Sequence, residues 1–110
     1  MKTQQICLTV TVLAVAALTR LRFVGLTGDV CAAGAKALGT AETNADAGEQ
    51  ASVNTHGVLL VEAGAAIAAG AEIESDASGK AITKAAGISN GFALDAAAAA
   101  GDVIRIVRGI

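Results

Sequence analysis

Residues 67–83, IAAGAEIESDASGKAIT, impose the tightest local constraint on this chain. Ala71, Ile73 and Ser75 alternate with Glu72 and Glu74, the period-two pattern of a strand with one buried face. Asp76-Ala77-Ser78-Gly79 then reads as a turn, because Asp and Ser favour the early turn positions and Gly tolerates a positive φ. Lys80, Ala81, Ile82 and Thr83 lead back. The stretch is a β-hairpin entered through Ala69-Gly70, with Glu72 and Glu74 on its solvent face. Neither strand offers a residue suited to chemistry.

The rest of the chain has to build a core from little material. Hydrophobic residues make up 54% of the 110, yet aromatics are only 2%, and there is no Trp, Tyr or Pro. Much of the apolar fraction is Ala, which buries far less area than Leu or Phe at roughly 25 cal/mol per Å². One small domain with such a core is weakly stabilised as a free monomer, so assembly with other subunits or docking on a partner is expected. The formal net charge is −2, and apart from Arg20/Arg22 and Arg105/Arg108 the basic residues are scattered. Neither the basic face nor the stacking aromatics of a nucleic-acid binder is present.

Residues 1–19, MKTQQICLTVTVLAVAALT, resemble a secretory signal, with Lys2 before an apolar run and Ala14-Val15-Ala16 as a cleavage-like site. Two features argue against cleavage. Leu8 to Val12 alternates with Thr9 and Thr11, which suits a strand better than a signal core. Cleavage would also remove Cys7 and leave Cys31 as an odd thiol. The run falls short of the ~20 residues of a spanning helix. Residues 1–19 are therefore expected to be an N-terminal arm or strand, and residues 20–110 a single β-domain.

Further along, Leu21 and Phe23 alternate with Arg20 and Arg22 as a second strand, the two arginines facing solvent or an acidic neighbouring subunit. Short strands are expected at 30–33, 36–41 and 50–55. His56-Gly57 is expected to interrupt the last of these before an apolar strand over 58–62, buried on both faces. Strands at 91–94 and 103–108 complete the set. Between them, Asp95 followed by five alanines and Gly101 predicts a short helix, capped by Asp95 and ended by Gly101. The expected fold is all-β: a small β-barrel or β-sandwich of short strands, with an extended N-terminal arm and one short Ala-rich helix near the C-terminus.

One phrase recurs. Ala47-Gly48-Glu49, Ala69-Gly70-Ala71 and Ala100-Gly101-Asp102 each precede an alternating run. Shared turn chemistry alone explains it; so would strands that enter one barrel or sandwich in the same way.

A search for catalytic groups returns little. His56 is the sole histidine, expected in a turn or at a strand end. Cys7 and Cys31 have no metal-ligand spacing and read as buried free thiols, a disulfide between them being the alternative. Glu72 and Glu74 are the nearest approach to a carboxylate pair. Residues 87–91, GISNG, lack the phosphate-loop pattern. No metal, cofactor or catalytic residue is expected, and the chain does not read as an enzyme.

Several phrases taken in order carry a family resemblance: MKTQQ, LTVTV and AALT at the N-terminus, RFVGLTG, ALGTAETNADAGEQASV, VEAGAAIAAGAEIESDASGKAI, and GFALDAAAAAGDVIRIV. Together they span nearly the whole chain. The chain resembles the capsid cement or decoration proteins of tailed bacteriophages, a group often labelled only as an uncharacterised domain. The resemblance implies a virion structural protein, made in the host cytoplasm, that binds the exterior of an expanded head. It would bridge neighbouring major capsid subunits and associate with copies of itself as a dimer or trimer, with no nucleic acid or membrane as partner. Ile6, Leu8, Val10 and Val12 are the candidate strand-adding contacts, with Arg20 and Arg22 beside them. The competing expectation is a small secreted or periplasmic β-protein with residues 1–19 removed.

Overall fold

The computed structural model describes residues 3–109, so Lys2 and the ends of the chain lie outside the described residues. Eight strands follow one another: β1 (Gln5–Leu13), β2 (Phe23–Gly25), β3 (Ala37–Ala41), β4 (Gln50–Glu62), β5 (Ile73–Ser75), β6 (Ala81–Thr83), β7 (Phe92–Ala93) and β8 (Val103–Arg108). No helix occurs among the described residues.

The 13-residue β4 is the spine. Along one side it carries β1, from Gln5 opposite Val58 to Leu13 opposite Gln50. Its other side is shared: Thr40 and Ala41 of β3 pair with Asn54 and Val53, and β8 then takes over from Gly57 to Glu62. β2 extends the sheet beyond β3 and β7 extends it beyond β8. The resulting six-stranded sheet curls into a half-barrel. The β5–β6 hairpin lies across its open side. It is tied to β7 through the Glu72–Phe92 bridge and to the end of β4 through Ala63–Ala81. The Phe23 amide also donates to the Gly79 carbonyl, at 2.7 Å.

Two cores result. Phe23, Leu59, Val61, Ile73, Ile104 and Ile106 fill the half-barrel, all at most 1% exposed. A smaller cluster of Ala14, Leu18, Val24, Ala41, Ala51 and Val53 lies beside it, with Val10 and Val12 of β1 packed against it.

The predicted hairpin forms, with Ile73 opposite Thr83 and Ser75 opposite Ala81. Asp76 Oδ1 accepts from the amides of Ser78 (2.8 Å) and Lys80 (2.9 Å), and Gly79 has φ +79°. The expected solvent face is half wrong. Glu72 is exposed, but Glu74 is 8% exposed, and its Oε1 accepts from the amides of Ala85 (2.5 Å) and Gly87 (3.3 Å). The loop over residues 84–90 folds over this carboxylate and removes it from solvent.

Four other expectations are corrected. Residues 95–101 form no helix. Asp95 is held by Arg105 through Nε–Oδ2 and Nη2–Oδ1 bonds of 2.9 Å each, and Ala97 exchanges both backbone hydrogen bonds with Ile67. The backbone groups a helix would need are spent on another loop. His56-Gly57 does not interrupt β4. Gly57 (φ +110°) pairs with both Ile6 and Arg108, because with no Cβ it lets the Gln5 carbonyl and Cys7 amide approach. The run through Arg20 is not a strand before Phe23, since Leu21 has φ +64°, fixed by hydrogen bonds to Ala41 and Glu62. The stretch 30–33 reduces to one bridge, Val24–Val30.

Candidate functional site: an open strand edge and an adjoining basic groove

β1 pairs with β4 alone, so its outer edge is unpaired among the described residues. Exposed edges invite pairing with another chain, and proteins usually blunt them with charge, Pro or bulges. Here no charged residue and no Pro occurs from Thr3 to Thr19, and only a register shift around Leu8 breaks the ladder. Ile6 (40%) and Leu8 (47%) are exposed, as is the Cys7 thiol between them, which corrects the expectation of two buried thiols; Cys31 is fully buried.

The remaining predicted contacts separate. Val10 and Val12 turn toward the smaller core and hold β1 on the domain. Arg20 is exposed, its amide bonded to Asn44 Oδ1. Arg22 is tied by Nε to Glu62 Oε1 at 3.1 Å, and Lys80 reaches the other oxygen of the same carboxylate at 3.4 Å. That places Arg22 at the end of β4, whereas Ile6 lies opposite Gly57 in the strand's interior.

Sequence reasoning missed a groove on the other side of β4 from this edge. An open recess of about 600 Å³ is lined by Leu26, Lys36, Leu38, His56, Phe92 and Arg108, from five separate parts of the chain. A second recess shares His56 and Arg108 and continues to Gln5 and Cys7 at the start of β1. His56 stands within β4 rather than at a strand end, with Nδ1 2.9 Å from Thr55 Oγ1. Arg108 is the unusual member. Its Nη2 donates to the Ala37 carbonyl at 2.8 Å, while its buried Nη1 has no hydrogen-bond partner. Burial holds the guanidinium below its ordinary pKa. Leu26 stands 66% exposed on the rim. No group of three or more metal-ligating side chains forms among the described residues.

The arrangement offers main-chain donors and acceptors on an edge, apolar side chains, and positive charge that pairs with no carboxylate among the described residues. These are means of holding a partner.

No curated protein matches the chain in sequence. In fold it is similar to the crystal structure of the head fiber gp8.5 N base of bacteriophage phi29, with a TM-score of 0.76 and 19% identity over 91% of this chain and 92% of that one. At that identity the likeness speaks for the fold. The family described as phage cement protein matches residues 1–108, and the chain belongs to that family, whose members are structural proteins of the phage head.

Proposed function

We propose that the protein cements the exterior of a phage head, bridging neighbouring major capsid subunits and stabilising the DNA-filled shell. Family membership supports the capsid-associated role, and the observation that carries the bridging is the open edge of β1. A neighbouring subunit can add a strand there: backbone hydrogen bonds supply affinity, and Ile6 and Leu8 supply the apolar contact. Val10 and Val12 keep β1 seated on the domain, while the exposed Arg20 is a further candidate contact and Arg22 is tied to Glu62 at the end of β4. Repetition over a shell lets a modest interface suffice, since many weak contacts act together. Copies are expected to associate as dimers or trimers on the shell. Because residues 5–13 are a strand of the sheet, we read the N-terminal arm as retained rather than cleaved.

The test mixes purified protein with undecorated, expanded heads and images occupancy. Wild type should fill its sites. A variant with Ile6→Lys and Leu8→Lys should keep its Tm and leave heads bare. Wild type that fails to bind would sink the cementing role; a double variant that binds as wild type does would sink the strand-adding edge.

A further inference from the structure

The groove contains positive charge that pairs with no carboxylate among the described residues. The ion pairs among the described residues join Arg22 and Lys80 to Glu62, and Arg105 to Asp95. None uses Arg108 or Lys36. Lys36 Nζ reaches only the Ser89 carbonyl, at 3.2 Å, and Arg108 has one carbonyl acceptor and one orphaned nitrogen. Glu72 also lines the groove but pairs with neither cation. The orphaned Nη1 is itself buried and out of a partner's reach, but the half-buried guanidinium keeps its charge without a carboxylate and favours an anion in the groove. The walls around it are mixed: Leu26 and Phe92, both exposed large hydrophobic residues, stand with His56, Ser89 and Asn90.

We infer that this groove receives an extended acidic segment of the shell surface, one carboxylate of which pairs with the exposed Lys36 in the positive field of Arg108. Leu26, Leu38 and Phe92 contact the apolar residues flanking that carboxylate. The chemistry suits a carboxylate because Lys36 offers a mobile charge at an exposed position and Arg108 a fixed one in the groove wall. The second recess, which shares His56 and Arg108 with the groove and is lined also by Gln5 and Cys7, brings a partner in the groove near the start of β1. This inference rests on the cementing role, and its failure is separable from failure of that role.

The experiment treats decorated heads with a zero-length carbodiimide, which joins amines to carboxylates in contact, and maps the linked peptides. Lys36 is expected to link to an Asp or Glu of the coat subunit. Linkage of Lys36 to a second copy of this chain, or no linkage, overturns the inference. In parallel, Lys36→Glu and Leu26→Asp, both at exposed positions, should each lower head affinity at least tenfold with Tm unchanged. Arg108→Met should do the same if it folds; the other two variants keep the test decisive if it does not. Wild-type affinity in both exposed-site variants overturns the inference, whereas wild-type protein that fails to bind heads overturns the cementing role instead.

Discussion

Gly101 donates its amide to the carbonyl of Ala63 at 2.8 Å, and Ala63 donates in return to the carbonyl of Asp102, the next residue, at 2.7 Å. The same exchange joins Gly48 and Glu49 to Ala14 (2.7 and 2.9 Å), and Gly70 and Ala71 to Ala93 (2.7 and 2.9 Å). In each case Gly is the third residue of a four-residue turn closed from its first to its last residue, with φ +95°, +89° and +85° at Gly101, Gly48 and Gly70. The recurring Ala-Gly phrase is thus one device used three times: a turn that needs a positive φ and docks on a distant alanine.

A graded prediction follows from what surrounds these glycines. A Cβ at Gly48, Gly70 or Gly101 meets no atom within 4 Å, so substitution by Ala adds backbone strain and little else. Each change should cost about 1 kcal/mol, and the three should be nearly additive. Gly57→Ala differs, because its Cβ would press on the Gln5 carbonyl and come within 2.8 Å of the Cys7 amide. It should cost several times more and detach the start of β1. Urea denaturation of the four variants checks both parts; equal costs at all four positions would refute the distinction.

The carboxylate of Glu74 anchors the loop over residues 84–90, accepting from the Ala85 and Gly87 amides. Glu74→Ala leaves those two donors without their acceptor and should cost about 1–3 kcal/mol. Glu74→Gln keeps a carbonyl oxygen and should cost less. Gly87→Ala should be damaging for a different reason, since its Cβ would collide with the same carboxylate and come within 2.6 Å of the Gly34 α-carbon. Hydrogen exchange of the Ala85 and Gly87 amides gives the readout: faster exchange in Glu74→Ala and near-normal exchange in Glu74→Gln.

How much of this was legible in the sequence depends on how far each feature reaches along the chain. The turn at Asp76–Gly79 and the strand β8 were readable because neighbours in sequence determine them: an Asx turn with Gly, and an alternating run of Val and Ile. The stretch 95–101 misled because the helix propensity of Ala is local, whereas the pairing of Ala97 with Ile67 that overrides it is not. Glu74 misled for the same reason, since alternation marks the face opposite Ile73 as free without revealing that residues 85–87 cover it. The groove could not be read at all. Lys36, His56, Phe92 and Arg108 share no motif, and only the curl of the sheet assembles them. The open edge of β1 had a legible signal, an uncharged alternating run, but whether its second side is paired is a property of the sheet.

β1 itself divides into a partner-facing and a domain-facing part, and stability measurements should separate them. Leu8 is 47% exposed, so Leu8→Ala should change stability by less than about 0.5 kcal/mol. Val10 and Val12 are partly buried against the smaller core. Val10→Ala and Val12→Ala should each cost roughly 1 kcal/mol, as the loss of partly buried methyl groups requires. If Leu8→Ala proves as costly as the valine changes, β1 is not open on its outer side.

Cys31 gives a pH-dependent prediction. It is fully buried beside Ser75 and Arg108, and burial pushes its thiol above the ordinary value of 9.0, outweighing the Ser75 hydrogen bond and the positive charge of Arg108, which act the other way. A raised pKa means that the folded protein keeps a proton the unfolded chain releases. The associated stability is therefore complete below about pH 9 and declines as the pH rises through the folded pKa. Cys31→Ala removes this titration at the cost of a small cavity, so the variant should be less stable than wild type at pH 7 but lose less stability between pH 9 and 10.5. The exposed Cys7 serves as an internal control: at pH 8 a thiol reagent should label it at once, while Cys31 reacts only as fast as the domain opens. Prompt labelling of both thiols, or parallel alkaline profiles for the two proteins, would show that Cys31 is not sequestered in the half-barrel.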